Sequence, residues 1–363
     1  MQKLPLHDEH QKRGARFVTR SGWEIPDHYG DLPSEYHAVR HEVGLIDSSF
    51  RGKLKLRGKD RVEFLHGMVT NDIKSHKPGG GCYAAITNAK AKMLSDCRIY
   101  CLADSLLLDL EPEVVQKIKQ HLDRYIIASD VVLEDLTEKW GLLSLYGPEA
   151  SNHLIKTLGL AGLPKTEYAC LETSVQSRNM IIARNEITGE VGYDLYISTE
   201  DLPFFFQKML AVGAGPVGQE ALNILRIEAG IPRYDVDMDE SHFPMEAGLK
   251  ERAISYTKGC YIGQETIART DAMGHMNRFL MGLEVKGEAV PQKSQTILSG
   301  ERAIGTITSG VRSPTLSKII ALGYVHSDFA KPGTEVSIVV GTEHKPATVV
   351  ALPFYKRTSK DNP

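Results

Sequence analysis

The feature that most constrains the fold is a change in the hydrophobic pattern of the sequence near residue 275. Beyond it, strand-like apolar runs recur at short intervals, and glycine and proline residues such as Pro332-Gly333 separate them. Short strands at this spacing are typical of small β-barrels and sandwiches. The sequence therefore predicts an all-β C-terminal domain. The runs cover residues 279–285, 303–309, 319–325, 335–340 and 347–352.

An earlier segment, residues 51–137, predicts a mixed unit. Helices are indicated over 60–68 and over 112–125, where apolar residues recur at helical spacing behind Pro112. The order strand, helix, strands, helix, strand is that of a ferredoxin-like unit. The predicted strands are 53–57, 82–87, 95–102, 105–110 and 130–136.

A second α+β block follows, with helices predicted over 202–212 and 219–229. The predicted strands of this second block are 142–146, 180–184 and 191–197. We therefore expect an α+β chain of three domains, the third of them all-β.

Charge and hydropathy narrow the class of partner. The chain has 43 Lys and Arg residues against 46 Asp and Glu, a net charge of −3, which argues against nucleic acid as a bulk electrostatic partner. No run approaches the roughly 18 apolar residues of a membrane-spanning helix, and the N-terminus lacks the apolar stretch of a signal peptide. A cytoplasmic protein without a membrane partner is expected.

Cysteine usage indicates a reduced protein. There are five cysteines, an odd number, and no Cys-x-x-Cys motif, so a disulfide scaffold is not expected. Cys97 and Cys101 lie four residues apart in an apolar run, which favours core residues over metal or redox chemistry. No metal site is predicted.

The sharpest local signal is the octet from Lys258 to Glu265, Lys-Gly-Cys-Tyr-Ile-Gly-Gln-Glu. Gly259 and Gly263 permit a tight turn that presents the Cys260 side chain, and a neighbouring cation favours a thiolate. Cys260 is therefore either a reactive thiol or a small residue that the turn demands.

Three other positions combine charge with a constrained setting. Glu190 follows a glycine turn, and its carboxylate suits a heterocycle that offers two adjacent N–H donors, although a solvated turn residue is the alternative. Arg226 adjoins an apolar helical stripe and needs either an anionic ligand or a structural ion pair. Asp96 interrupts an apolar strand, so it is a proton-transfer group or an edge-strand residue.

Taken together, these segments resemble the folate-binding superfamily of the glycine-cleavage T-protein (aminomethyltransferase) and its YgfZ-type relatives. The likeness covers nearly the whole chain. The matching segments include Gly22-Trp23-Glu24-Ile25-Pro26, Thr70-Asn71-Asp72, Thr188-Gly189-Glu190-x-Gly192-Tyr193, Leu225-Arg226-x-Glu228-Ala229-Gly230, Pro244-x-Glu246-Ala247-Gly248-Leu249 and Gly305-x-x-Thr308-Ser309-Gly310.

Two features favour the YgfZ-type branch. The Lys258–Glu265 octet is the signature of those proteins, and T-proteins lack that cysteine turn. In T-proteins the catalytic strand carries a glycine pair and then two adjacent acids, whereas this chain has Ala91-Lys92 and then Ser95-Asp96.

The resemblance implies a three-domain cloverleaf around a central hole that binds tetrahydrofolate. Its domains would be residues 1–50 with 138–275, residues 51–137, and a β-barrel over residues 276–363.

The resemblance also implies roles for single residues. Glu190 would hold the amino edge of the pterin, with Arg226 and Tyr193 as further folate contacts. Asp96 would face the reactive nitrogens as a catalytic residue. Cys260, a second catalytic candidate, would lie near the mouth of the hole.

The implied function is that of a tetrahydrofolate-binding, YgfZ-type protein that supports assembly or repair of iron–sulfur enzymes, with client or assembly proteins as partners. The first alternative is an aminomethyltransferase or a related one-carbon transferase, which needs a lipoyl carrier protein. The second alternative is a non-catalytic, folate-binding regulator.

Overall fold

The computed structural model describes residues 1–273 and 276–357. No helix in these ranges combines the length and the apolar character that crossing a membrane requires. The strands are β1 (Gln2–Lys3), β2 (Arg16–Arg20), β3 (Trp23–His28), β4 (Gly44–Asp47), β5 (Gly52–Arg57), β6 (Gly81–Thr87), β7 (Met93–Cys101), β8 (Leu106–Leu110), β9 (Val132–Asp135), β10 (Trp140–Tyr146), β11 (Cys170–Val175), β12 (Arg178–Arg184), β13 (Gly192–Ser198), β14 (Gly215–Pro216), β15 (Arg278–Val285), β16 (Thr296–Ser299), β17 (Arg302–Ser313), β18 (Lys318–His326), β19 (Glu335–Val340) and β20 (Glu343–Val350). The helices are α1 (His7–Lys12), α2 (Leu32–His41), α3 (Arg61–Met68), α4 (Val115–Asp123), α5 (Ala150–Leu158), α6 (Leu202–Ala211), α7 (Gln219–Glu228), α8 (Lys250–Ala253) and α9 (Gln264–Met273).

The C-terminal strands close into a barrel in the order β15-β18-β17-β16-β19-β20. This confirms the all-β prediction and the α+β class. The sequence pattern does not predict β16, because this four-residue strand carries only two apolar residues, Ile297 and Leu298. Its pairing with β17 and β19, rather than its own pattern, makes it a strand.

A five-stranded sheet in the order β6-β7-β8-β5-β9 forms the unit predicted to be ferredoxin-like. The helices α3 and α4 come after β5 and β8, as predicted. The sheet has one strand more than a ferredoxin-like unit, because β6, β7 and β8 form a meander where that unit has a hairpin.

A six-stranded sheet, β11-β12-β13-β10-β4-β14, joins the start of the chain to its middle, since β4 pairs with β10. Its core packs against α5 and α6 through residues such as Leu154, Phe205 and Phe206. The domain boundaries remain a prediction, and the one at 275/276 adjoins residues 274–275, which lie outside the described part.

Helix α7 is central to the arrangement. It contacts α2 and β3 at the start of the chain and β17 and β18 of the barrel. Ala221 and Leu225 are fully buried in the core cluster that includes Ile320 and Leu322 of the barrel. The polar face of α7 thereby turns towards the space between the sheets.

Candidate functional site

A cavity lies where the two large sheets meet α7. The wall includes side chains from β6, β7, β13 and α7, among them Tyr83, Asp96, Arg98, Asp194, Asn223 and Arg226.

Strand alternation places Asp96 in the cavity wall. Along β7 the odd-numbered residues, including Ser95 and Cys97, are buried in the sheet core, whereas Asp96 and Arg98 face the other way. The Asp96 carboxylate thus reaches the cavity although its two neighbours do not.

The Asp96 carboxylate is only half satisfied. Its Oδ2 accepts a hydrogen bond of 2.7 Å from the Tyr83 hydroxyl. Its Oδ1 is buried and has no hydrogen-bond partner among residues 1–273 and 276–357. Burial raises the pKa of Asp96, although the Tyr83 bond opposes the rise. A buried acceptor without a donor marks a place for a ligand N–H.

A second carboxylate, Asp194 on β13, also lines the cavity. Its Oδ1 accepts bonds from Ser144 at 2.6 Å and Tyr146 at 3.2 Å, and its Oδ2 accepts a 2.6 Å bond from the Asn185 amide. Arg98 lies 3.7 Å from Oδ2. Burial nevertheless raises the pKa of Asp194. These contacts fix the carboxylate at the wall.

Two tyrosine residues, Tyr83 and Tyr168, line the cavity. The rings of Tyr83 and Tyr168 are stacked, with centroids 6.1 Å apart and planes inclined by 15°. Arg252 lies over the Tyr83 ring and donates a 2.8 Å hydrogen bond to the Tyr168 hydroxyl. Such a surface suits a planar heterocycle.

Arg226 reaches the cavity, but most of its guanidinium contacts are with other protein groups. It forms an ion pair with Asp237, and it donates hydrogen bonds to Ser309 at 2.7 Å and to Asn223 at 3.0 Å. Asp237 lies beyond α7 and Ser309 lies on the barrel, so the predicted alternative of a structural ion pair is present. Arg226 also lines the cavity.

The structure does not bring Glu190 to the cavity. Its carboxylate is 2% exposed and lies 3.1 Å from Arg40, 2.7 Å from the Tyr355 hydroxyl and 3.7 Å from Arg357. Glu190 thus joins α2 to the C-terminal segment. Its resemblance-based role rested on the turn motif, which does not show where the carboxylate points.

Tyr193 also lies away from the cavity. Its hydroxyl bonds to Ser151 and Arg184, both at 3.0 Å. On β13, Tyr193 and Leu195 face the core shared with α5 and α6, and Asp194 therefore faces the opposite side. Period-two alternation over 192–198 is the sequence signal that identifies Asp194 instead.

Cys260 is exposed, and the other four cysteines are buried, which confirms the accessibility prediction. Cys260 does not line the cavity. The loop is held by Lys258, whose ammonium donates to the backbone oxygens of His66, Val69 and Asn71 at 2.6, 2.6 and 2.9 Å. Burial lowers the pKa of Lys258 to about 8. The lysine therefore anchors the loop, in contrast to the expected role as a cation beside the thiol.

The sequence does not predict several of the cavity residues, notably Tyr83, Tyr168 and Arg233. They come from separate segments, and no local motif marks them. Outside the cavity, Asp27, His28 and Glu220 form the one group of potential metal ligands found among the described residues.

Comparisons with known proteins agree along the whole chain. Residues 6–258 match the family described as the GCVT N-terminal domain, and residues 278–356 match the glycine cleavage T-protein C-terminal barrel domain. An aminomethyltransferase of Rubrobacter xylanophilus is 32% identical over 365 residues, which cover 99% of this chain and 96% of the relative. One of Bacillus mycoides is 31% identical, covering 99% of both chains. The crystal structure of glycine cleavage system aminomethyltransferase T from Bartonella henselae superposes with a TM-score of 0.90 at 25% identity, covering 98% of each chain.

Proposed function

The chain belongs to the family of the glycine cleavage T-protein, and from this premise we propose that it transfers an aminomethyl-derived one-carbon unit to tetrahydrofolate. Its similarity to proteins named aminomethyltransferase supports this activity over the YgfZ-type function that the cysteine octet favoured. The observation that carries the proposal is Asp96, a half-satisfied carboxylate of raised pKa in the wall of the cavity.

Tetrahydrofolate is the cofactor of this family, and the residues present fit it. A pterin has a flat ring and an edge of N–H donors. The Tyr83–Tyr168 surface suits the ring, and the carboxylates of Asp96 and Asp194 are acceptors for the donors. We assign the contact with the amino edge to Asp194 rather than to Glu190, because only Asp194 lines the cavity.

Asp96 would accept and donate the proton during the transfer. Because burial raises its pKa, the Asp96 carboxylate takes up and returns a proton at a higher pH than an ordinary aspartate does. The Tyr83 hydroxyl holds Oδ2, so Oδ1 is the oxygen that is free to exchange a proton with a ligand nitrogen. Bound tetrahydrofolate supplies the nitrogens that accept the one-carbon unit.

The departures from the T-protein strand do not remove this chemistry. Ser95, at the position of the first acid, is fully buried on the opposite face of β7 and does not line the cavity. Ala91, at a glycine position, has a φ of 60°, so the turn keeps a left-handed conformation that favours glycine. The backbone and the cavity carboxylate are therefore retained.

The test is formation of methylene-tetrahydrofolate from an aminomethylated lipoyl carrier protein. We expect turnover by the wild type and a loss of about 100-fold or more in Asp96→Asn, the upper range for general acid–base catalysis being about 10⁴-fold. Asp8→Asn is the matched control, because that side chain is 86% exposed. Wild-type protein that binds tetrahydrofolate without turnover would overturn the transferase proposal.

One observation supports a second function, the YgfZ-type support of iron–sulfur enzymes. Cys260 is exposed on a loop that Lys258 anchors, and this is the arrangement expected of a thiol that meets a partner protein. In this case a Cys260→Ser strain loses iron–sulfur enzyme activity, whereas the purified variant keeps tetrahydrofolate binding. A folate-binding regulator would show binding and neither effect.

A further inference from the structure

Arg233 follows the end of α7 and lines the cavity. Its backbone N–H donates a 3.0 Å hydrogen bond to Asp237, which fixes the start of its side chain. The Nε atom is buried, and in the described part of the chain it has no hydrogen-bond partner. Nor does its guanidinium form an ion pair with any carboxylate in residues 1–273 and 276–357.

Nearby carboxylates offset the charge of Arg233 only in part. The carboxylate of Glu111 already pairs with Arg20 and Arg51, and Asp237 already pairs with Arg226. Burial, aided by repulsion from Arg20 and Arg226, lowers the pKa of Arg233 to about 10, and the weaker attraction by Glu111 and Asp237 does not cancel this effect.

The other cations of the wall have carboxylate partners. Arg20, Arg51, Arg98, Arg226 and Arg252 form ion pairs with Glu111, Asp109, Asp237 or Glu167, of which only Glu111 itself lines the cavity. In the described part of the chain, Arg233 is therefore the wall cation without an ion pair, and an anionic group on a ligand would be attracted to it.

An arginine in this setting costs stability, since burying a charged group without a partner is unfavourable. Such costs persist where function needs the group. A planar guanidinium is suited to bidentate binding of a carboxylate.

We infer that Arg233 is the receptor for a carboxylate of the ligand that occupies this cavity. The inference deepens the proposed function on which it rests. The carboxylate has two candidate sources, the glutamate tail of tetrahydrofolate or a free small amino acid that enters the cavity. Arg233 then makes the site selective for ligands that carry this group.

The experiment is a calorimetric titration of wild type, Arg233→Leu and Arg233→Lys with tetrahydrofolate and with 6-methyltetrahydropterin, which carries no carboxylate. If the tail is the partner, Arg233→Leu loses about 10- to 100-fold in affinity for tetrahydrofolate and nothing for 6-methyltetrahydropterin. Lysine restores part of the loss because it keeps the charge. Titration with N-methylglycine is the arm for an amino-acid carboxylate.

The melting temperature of the unliganded protein separates this role from a structural one. Leucine at position 233 removes an unpartnered charge, so the variant should melt at the same or a higher temperature than the wild type. Arg312→Leu is the control, since Arg312 is exposed and lies outside this cavity.

Three results would overturn the inference: a lower melting temperature with equal losses for all ligands, unchanged affinities for all of them, or an equal loss for tetrahydrofolate and 6-methyltetrahydropterin. If the wild type binds neither pterin, the proposed function fails. The N-methylglycine titration then decides on Arg233 alone: weaker binding by Arg233→Leu supports the carboxylate receptor, and no difference refutes it.

Discussion

Glu190 offers a direct contrast between a structural and a ligand-binding carboxylate. The perturbation is Glu190→Gln, which keeps the size of the side chain and removes its charge. The carboxylate lies 3.1 Å from Arg40 and 3.7 Å from Arg357, and it accepts a 2.7 Å bond from Tyr355. The substitution therefore weakens a buried network that links α2, the turn before β13 and the C-terminal segment.

The expected loss in the free energy of unfolding depends on the contacts that Arg40 retains. Removing one partner from a buried ion pair typically costs about 3–5 kcal/mol. Arg40 keeps its ion pair with Glu228 and its 2.8 Å bond to the Thr188 carbonyl, so the lower end, about 3 kcal/mol, applies. At about 2 °C per kcal/mol for a large chain, the melting temperature should fall by about 6 °C.

The comparison variant is Asp194→Asn, and the assays are thermal unfolding and tetrahydrofolate titration. Glu190→Gln should lose stability while its affinity for tetrahydrofolate stays within about 3-fold of wild type, because Glu190 does not line the cavity. Asp194→Asn should lose about 10-fold or more in affinity, the worth of a charge-assisted hydrogen bond. If Glu190→Gln abolishes binding without lowering the melting temperature, the reasoning from placement is refuted.

Four further outcomes follow from the surroundings of single residues. Since folding raises the pKa of Asp96, stability that is present at low pH is lost as the pH rises through the folded-state pKa. The Asp96→Asn variant should therefore melt at a higher temperature than wild type at pH 7 and lose this advantage below pH ~4. A lower melting temperature of the variant at pH 7 would contradict this expectation. Folding lowers the pKa of Lys53 to about 7 from 10.5, so wild-type stability should rise between these pH values in denaturant titrations, and Lys53→Met should flatten the rise. Mild alkylation should label Cys260 before any other cysteine, because Cys260 is the exposed one. At Gly263 φ is +88°, and an added Cβ would lie 2.7 Å from the Asn88 carbonyl, so Gly263→Ala should lower the stability of the loop by about 1–3 kcal/mol. Equal stability of the variant and wild type would show that the loop is not held there.

Much of the fold could be predicted because local pattern and tertiary structure agree. The barrel strands and α7 follow from the alternation and the helical spacing of their own residues. The strand β16 could not be found this way, because its pairing partners lie in β17 and β19. The meander of β6, β7 and β8 likewise depends on which strands pair.

The site was harder to predict, because a motif identifies a segment and not the direction of a side chain. Asp96 was found because a charge interrupts an apolar strand. Asp194 was missed although it stands four residues after Glu190, since only the alternation along β13 shows which side faces the cavity. Arg233 carries no local mark, and its isolation becomes visible only when the neighbouring carboxylates are seen to be paired.

A crystal structure of the protein with bound tetrahydrofolate tests the proposed site most directly. We expect the pterin ring in the central cavity beside Tyr83, with its N–H edge on Asp194, its reactive nitrogens facing the free Oδ1 of Asp96, and the cavity wall otherwise unchanged. Tetrahydrofolate bound elsewhere, for example in the groove between α2 and β17, with the Asp96 cavity empty of it, would refute the proposed site.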